Sequence, residues 1–495
     1  MTTVNENQIA DIVSRVVMRL QSDNAEASAS GRGKKAAVEH APAPASGQAS
    51  PVAPMGIFGS VNEAVAAANV AYETFSDVTI EDRRTIIEAM RAAARKEAYA
   101  QAQLAVTETG LGNLRDKLAK NLLAVDKTPG VEVLRPEAYT GDNGMALVET
   151  APYGVIGSIT PVTNPTATVV CNAIGMIAAG NSVVFNAHPS ARECTNRIIS
   201  ALNRAIVDAG GPPNLLASIS PPTIATAKEM MKHPGIRLLV VTGGPAVVAE
   251  AMRSGKKVIG AGPGNPPAVV DETANIPEAA RHLVDGASFD NNIVCVLEKE
   301  IIVVESVADQ LKAEMKKHGA YELNSMQIRK VEKLVIDRAP EGPGDHGQIN
   351  KKWVGKGAAE ILRAIGGEPK PDTRLLILDV PRDHPLVIME QLMPVIPIVR
   401  VPNVDDGIKL ARQVEHGFFH TAVMHSTNVD NLSKMARMCN TSIFVKNGPS
   451  IAGLGVGGEG FTSFTIASPT GEGLTCALTF TRQRRCTLKD RFRIV

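Results

Sequence analysis

From about residue 154 to residue 253, short apolar runs alternate with longer stretches of helical period, and this alternation leaves few architectures open. Residues 154–159, 182–185 and 238–242 read as apolar strands, and 166–179, 194–209 and 245–253 read as helices. A helix between two strands returns the chain in the same direction, so the pattern predicts parallel βαβ units with helices covering the sheet. Ala-rich amphipathic helices over 61–75 and 80–106 precede it, and a second α/β segment is expected from about Pro267 to Thr475. No internal repeat is present.

A chain of 495 residues has room for two to four domains. Lys and Arg total 52 against 51 Asp and Glu, a net charge of +1, which argues against general nucleic-acid binding and a polybasic membrane anchor. Aromatics are only 3%, too few for a stacking groove for sugars or single strands. No apolar run is long enough to span a bilayer, and the first residues lack the basic segment of a secretory signal. The six cysteines show no C-x-x-C and no Cys/His zinc spacing, so reduced thiols in a cytoplasmic setting and no metal site are expected. Taken singly, Cys171, Cys194, Cys439, Cys476 and Cys486 read as inert buried hydrophobes.

Residues 5–20 place Ile9, Ile12, Val13, Val16, Val17 and Leu20 on one helical stripe. Residues 21–55 follow with 10 Ala, 5 Ser, 4 Pro and 3 Gly and no Ile, Leu or aromatic, the composition of a flexible linker. A tethered helix with an apolar face calls for a partner groove; packing on its own domain is the plainer alternative.

Two glycine-rich segments compete as phosphate sites. Gly455-x-Gly457-x-x-Gly460 matches the dinucleotide fingerprint as a string, but it follows no first strand and opens no helix, so it reads as a decoy. In VVTGGP, residues 240–245, a strand ends, two glycines permit close approach, and Pro245 begins a helix whose N-terminus suits an anion. A plain tight turn gives the same string.

At FDNNIVCVLEKE, residues 289–300, the sequence resembles the CoA-acylating branch of the aldehyde dehydrogenase superfamily, and within it the propionaldehyde and acetaldehyde dehydrogenases of bacterial microcompartments. The likeness runs along nearly the whole chain through ITPVTNP, NAHPSA, VVTGGP, GAGPGNPPAVVDET, MEQLMPVIPIVRV and TSIFVKNGP. It implies an α/β, aldehyde dehydrogenase-like fold: a Rossmann-type NAD domain from 56–132 and 152–265, a catalytic domain over 266–475, and a β-rich oligomerisation arm from 133–151 and 476–495. It makes Cys295 the nucleophile and Asn164 the oxyanion donor together with the backbone N–H of Cys295. Glu390 falls to the nicotinamide-side ribose, and Thr242, Gly243 and Gly244 to the pyrophosphate. Asn186, His188 and Pro189 fall to the adenosine end, and Thr160 and Pro161 line the cofactor site.

One departure decides the reaction the resemblance implies. Ala261, in AGPGNPP, takes the place of the Glu that activates water in hydrolytic relatives. A thioester on Cys295 should then wait for CoA. The expected activity is oxidation of a short-chain aldehyde, propionaldehyde or acetaldehyde, with NAD and coenzyme A to acyl-CoA and NADH. Ile293 and Val294 are candidate pocket residues. The helix over 5–20 resembles the peptides that direct cargo to a microcompartment shell protein, which places the chain in the lumen as a homo-oligomer, dimer or tetramer. The alternatives are a hydrolytic enzyme releasing free acid and a non-enzymatic adaptor recruited to the shell.

Overall fold

The computed structural model describes residues 55–342 and 344–493. The helix expected over 5–20 and its linker lie outside the described residues, save Met55.

Six parallel strands form the first sheet, in the order Ile57–Phe58, Leu216–Ile219, Ser182–Asn186, Val155–Ile159, Leu238–Thr242 and Lys257–Ala261. Strand order reverses at Val155–Ile159: the next strand in sequence lies on one side of it, and Leu238–Thr242 on the other. Such a switch point opens a crevice at the carboxyl ends of the strands. Ser182–Asn186 is buried throughout, as a strand covered on both faces must be. The helix Val61–Phe75 starts at the Ser60 cap and buries Val61, Ala64, Val65, Ala68, Ala71 and Phe75 on one stripe. Ile80–Thr109 starts at Thr79 and ends at Gly110, whose φ of 68° is open to glycine at no steric cost. Pro165–Ala178 is buried all round, and Gly175 in it lets Phe480 pack against the backbone.

Seven parallel strands form the second sheet, in the order Ala320–Glu322, Leu375–Asp379, Val395–Val401, Glu300–Val304, Pro267–Val270, Thr421–His425 and Ile443–Lys446. Its first strand in sequence, Pro267–Val270, is again flanked by a later strand on each side. The α/β class expected from the sequence is thus present twice.

A three-stranded antiparallel sheet joins Glu137–Gly141, Gly144–Pro152 and Thr481–Lys489, the last in register from Thr481 opposite Pro152 to Lys489 opposite Gly144. Nearly every residue of Thr481–Lys489 is exposed. This corrects the reading of two thiols. Cys171, Cys194 and Cys439 are buried, but Cys476 is half-buried and Cys486 is exposed, because the edge strand that carries Cys486 has no layer over either face.

Candidate active site

Cys295 stands on a short loop between the helix Ile276–Ser288 and the strand Glu300–Val304. The chain reaches it through three consecutive left-handed residues, Asp290, Asn291 and Asn292, with φ of 44°, 53° and 64°. Asp and Asn tolerate this region better than other side-chain-bearing residues because their short polar groups bond locally. Here each is pinned. The Asn292 amide donates to the carbonyls of Ala287 at 2.8 Å and Glu298 at 3.0 Å, and the Asn291 amide donates to Gly355 O at 2.9 Å. The Asp290 N–H donates to Asp116 Oδ2 at 2.8 Å. On the other side of the thiol, buried Lys299 donates from Nζ to the carbonyls of Val294 and Leu297, at 3.2 and 3.1 Å.

The half-buried Cys295 rests on an apolar cluster that includes Val294, Leu297, Ile451 and Leu454. Burial, with the Glu390 carboxylate nearby, pushes the thiol up to about 12; the Lys299 and Lys120 cations oppose this. Of the two pocket candidates, Val294 belongs to this cluster, while Ile293 is fully buried and faces the Gly355 turn.

Glu390 follows the short helix Pro385–Ile388 and lies near the Gly264 backbone N–H, which lowers its carboxyl. Burial raises it to about 7 against the pull of Lys299. A side chain at Gly264 would force a shift: a Cβ there would lie 2.8 Å from Cys295 O and 3.0 Å from His420 Cγ. The segment after Ala261 is thereby threaded between the thiol loop, Glu390 and His420. Ala261 itself ends the strand Lys257–Ala261, and its carbonyl accepts from the Gly243 N–H at 3.2 Å.

Asn164 precedes Pro165 at the start of its helix and is nearly buried, with no capping bond from its side chain. Its Oδ1 accepts from Lys120 Nζ at 2.5 Å, and its Nδ2 donates to Thr163 Oγ1 at 3.2 Å.

The remaining predicted positions gather at the carboxyl edge of the first sheet. Thr160 and Pro161 follow the strand Val155–Ile159, Asn186 ends the next strand, and His188 and Pro189 open the turn beyond it. Thr242, Gly243 and Gly244 lie across the switch point. The structure commits three of these side chains to protein partners, His188 among them, whose Nδ1 accepts from the Ser190 N–H at 3.2 Å. Asn186 Oδ1 accepts from Thr226 Oγ1 at 2.8 Å, and Thr242 Oγ1 shares a 2.8 Å hydrogen bond with Thr465 Oγ1. Gly244 caps the helix Pro245–Met252 with no side-chain bond, and a Cβ on it would meet no atom within 4 Å, so there is room for a ligand beside its backbone. Thr160 Oγ1 is buried without a partner among the described residues. These are features a dinucleotide's phosphates would fit.

The competing glycine string has another role. Lys127 Nζ donates to the carbonyls of Gly455 and Gly458, at 2.6 and 2.8 Å, and a 3-10 turn, Ser450–Leu454, precedes them. No helix follows, so the loop cannot present a helix N-terminus to phosphate.

Sequence reasoning missed the buried charges around the thiol. Lys117 and Lys120 lie on the inward face of the helix Leu114–Lys127 and pair with buried Asp290. Burial and the neighbouring Lys120 cation bring Lys117 down to about 8. His420, brought down to about 3 by burial and Lys299, is neutral beside Gly264. Asp290 had a signal, since it sits inside FDNNIVC. The lysines had none, because a charged residue on a helix is ordinarily read as solvated.

A thiol on a pinned loop, two parallel sheets, and a glycine turn at the switch point of one of them define a two-domain α/β enzyme centred on a cysteine. The chain belongs to the aldehyde dehydrogenase family: the model described as "Aldehyde dehydrogenase family" matches residues 41–464. It is 52% identical over 448 residues to the acetylating acetaldehyde dehydrogenase EutE of Salmonella typhimurium, covering 90% of this chain and 95% of that one. It is 49% identical over 447 residues to the CoA-propanoylating propanal dehydrogenase of the same organism, covering 90% and 95%. Among solved structures, the propionaldehyde dehydrogenase of Rhodopseudomonas palustris, with bound CoA and an acylated cysteine, is 48% identical with a TM-score of 0.85, covering 88% of this chain and 98% of that one. The propionaldehyde dehydrogenase from a Clostridium phytofermentans fucose-utilisation microcompartment is 44% identical with a TM-score of 0.86, covering 89% and 100%.

Proposed function

We propose that this chain oxidises a short-chain aldehyde, acetaldehyde or propionaldehyde, with NAD and CoA to acyl-CoA and NADH. The observation that carries the reading is the placement of Cys295, half-buried on a loop fixed by Lys299 and Asn292 and facing the segment that carries Ala261 and Gly264. The Cys295 thiolate adds to the aldehyde carbon, and the carbonyl oxygen becomes an alkoxide held by Asn164 Nδ2 and the Cys295 N–H. The dinucleotide supplies the hydride acceptor. Thr160, Pro161, Asn186, His188, Pro189, Thr242, Gly243, Gly244 and Glu390 would hold it along the crevice of the first sheet, with the Gly243–Gly244 backbone at the phosphates. Loss of hydride leaves a thioester on Cys295. The CoA thiol attacks its carbonyl, forms the new C–S bond and returns the Cys295 sulfur.

The domain roles follow: residues 56–132 and 152–265 bind the cofactor, 266–475 carry the chemistry, and 133–151 with 476–495 form an arm for a dimer or tetramer. The long edge strand Thr481–Lys489 supports the last assignment, since unpaired edges invite pairing. Residues 5–20 dock to a shell protein and place the enzyme in a microcompartment lumen. Among the described residues no helix is long and apolar enough to cross a membrane.

The test follows NADH and thioester together for C2 to C4 aldehydes, with and without CoA. Without CoA, one equivalent of NADH per site and then near arrest is expected. Sustained turnover to free acid would sink the acylating reading. For location, removing residues 1–20 should leave activity intact and abolish shell association; co-purification of the truncated enzyme with shells would reject the address.

A further inference from the structure

Asn164 and Cys295 come from different halves of the molecule, one at the start of a helix beside the first sheet, the other on the loop leading into the second. One side chain bonds to both sides. Lys120 Nζ donates to Asn164 Oδ1 and pairs with Asp290, five residues before the thiol. Lys120 is 2% exposed and Asp290 is 0% exposed. An ammonium is donor only, so the amide facing it must present oxygen, which turns Nδ2 the other way. Lys117 pairs with the same Asp290 oxygen at 3.2 Å, and its second bond goes to Thr163 O at 3.0 Å. Two buried cations thus face one buried anion.

We propose that Lys120 is a positioning residue for the oxyanion site: fixed between Asp290 and Asn164 Oδ1, its ammonium holds the Asn164 amide with Nδ2 toward the reacting carbonyl oxygen. The excess buried positive charge also favours an oxygen that becomes negative in the transition state. This inference rests on reading Asn164 as the oxyanion donor. Lys117 is the built-in comparison, since it shares the Asp290 pairing and the burial but bonds to the Thr163 carbonyl instead of the Asn164 amide.

The experiment measures the first-turnover NADH burst with saturating NAD⁺ and propionaldehyde in the full-length enzyme. Lys120→Met should slow it by about 10²–10³-fold, the range for loss of one oxyanion donor, with aldehyde KM little changed. Lys117→Met should cost far less. Joined to Asn164→Ala, Lys120→Met should add almost nothing, because both remove one interaction. Iodoacetamide alkylation of Cys295, which forms no oxyanion, should fall much less than turnover in Lys120→Met. Equal losses for the two lysine variants, multiplicative losses in the double variant, or an equal fall in alkylation would each overturn the proposal. Full activity of Asn164→Ala would instead overturn the reading of Asn164 itself. Should Lys120→Met not fold, Lys120→Gln, shorter and uncharged, takes its place, and a wild-type burst in it would reject the positioning role.

Discussion

Buried Lys299 donates to the carbonyl of Val294, the residue immediately before Cys295, at 3.2 Å. A second bond to Leu297 O at 3.1 Å makes the ammonium a clamp across the thiol loop, and its charge also opposes the upward shift of the Cys295 thiol. One group therefore both anchors the loop and opposes the burial that raises the sulfur.

Lys299→Met should lower both stability and thiol reactivity. Each buried carbonyl left without a donor costs about 1–3 kcal/mol, so the melting temperature should drop by several degrees. Iodoacetamide alkylation at pH 8 should slow, because the thiol loses the cation that most opposes its upward shift. A variant that melts as wild type and alkylates at the same rate would remove Lys299 from the account.

Glu390→Gln should act on the sulfur in the opposite direction. The carboxylate is the second cause, after burial, of the raised thiol. With the charge gone the thiol should move down, and alkylation near pH 8 should speed up; on the proposed reading of Glu390 as the ribose ligand, NAD⁺ binding should weaken too. Slower alkylation would mean that burial alone governs the sulfur.

Gly264→Ala should fold and be nearly inactive. Its Cβ would come within 2.8 Å of Cys295 O, forcing the thiol loop or the Gly264 segment to shift. Displacements approaching 1 Å cost about 10²-fold in rate where reacting groups must align. A rate within threefold of wild type, about 0.65 kcal/mol, would show that the loop relaxes freely.

Glu298 gives a stability signature against pH. It is fully buried, accepts from Ser450 N and Oγ at 2.7 Å each, and is raised by burial to about 7. Unfolded, a Glu titrates near 4.3. Between those values the native state binds more protons than the unfolded one, so this group's stabilisation is complete below about pH 4 and is lost as pH rises through 7. Thermal melts should show Glu298→Gln less sensitive than wild type to a change from pH 6 to pH 8.5. An unchanged pH dependence would mean that Glu298 does not titrate in this window.

The alternation along the chain determined the architecture, because strand and helix periods are local properties. Residues 238–242 were read as a strand and are one, and 61–75 were read as a helix and are one. Elements read at 166–179 and 194–209 lie within two residues of Pro165–Ala178 and Arg192–Asp208. The family resemblance marked Cys295, Asn164 and Glu390, since each lies in a local string that the resemblance covers. What the sequence could not show was the set of long-range partners. Lys120 precedes Asn164 by 44 positions and Asp290 by 170, and nothing local distinguishes it from the solvated lysines of any helix. Only the packing of the helix Leu114–Lys127 against the thiol loop takes those lysines out of water, where a charge must find a partner, and it is there that they meet Asp290 and Asn164.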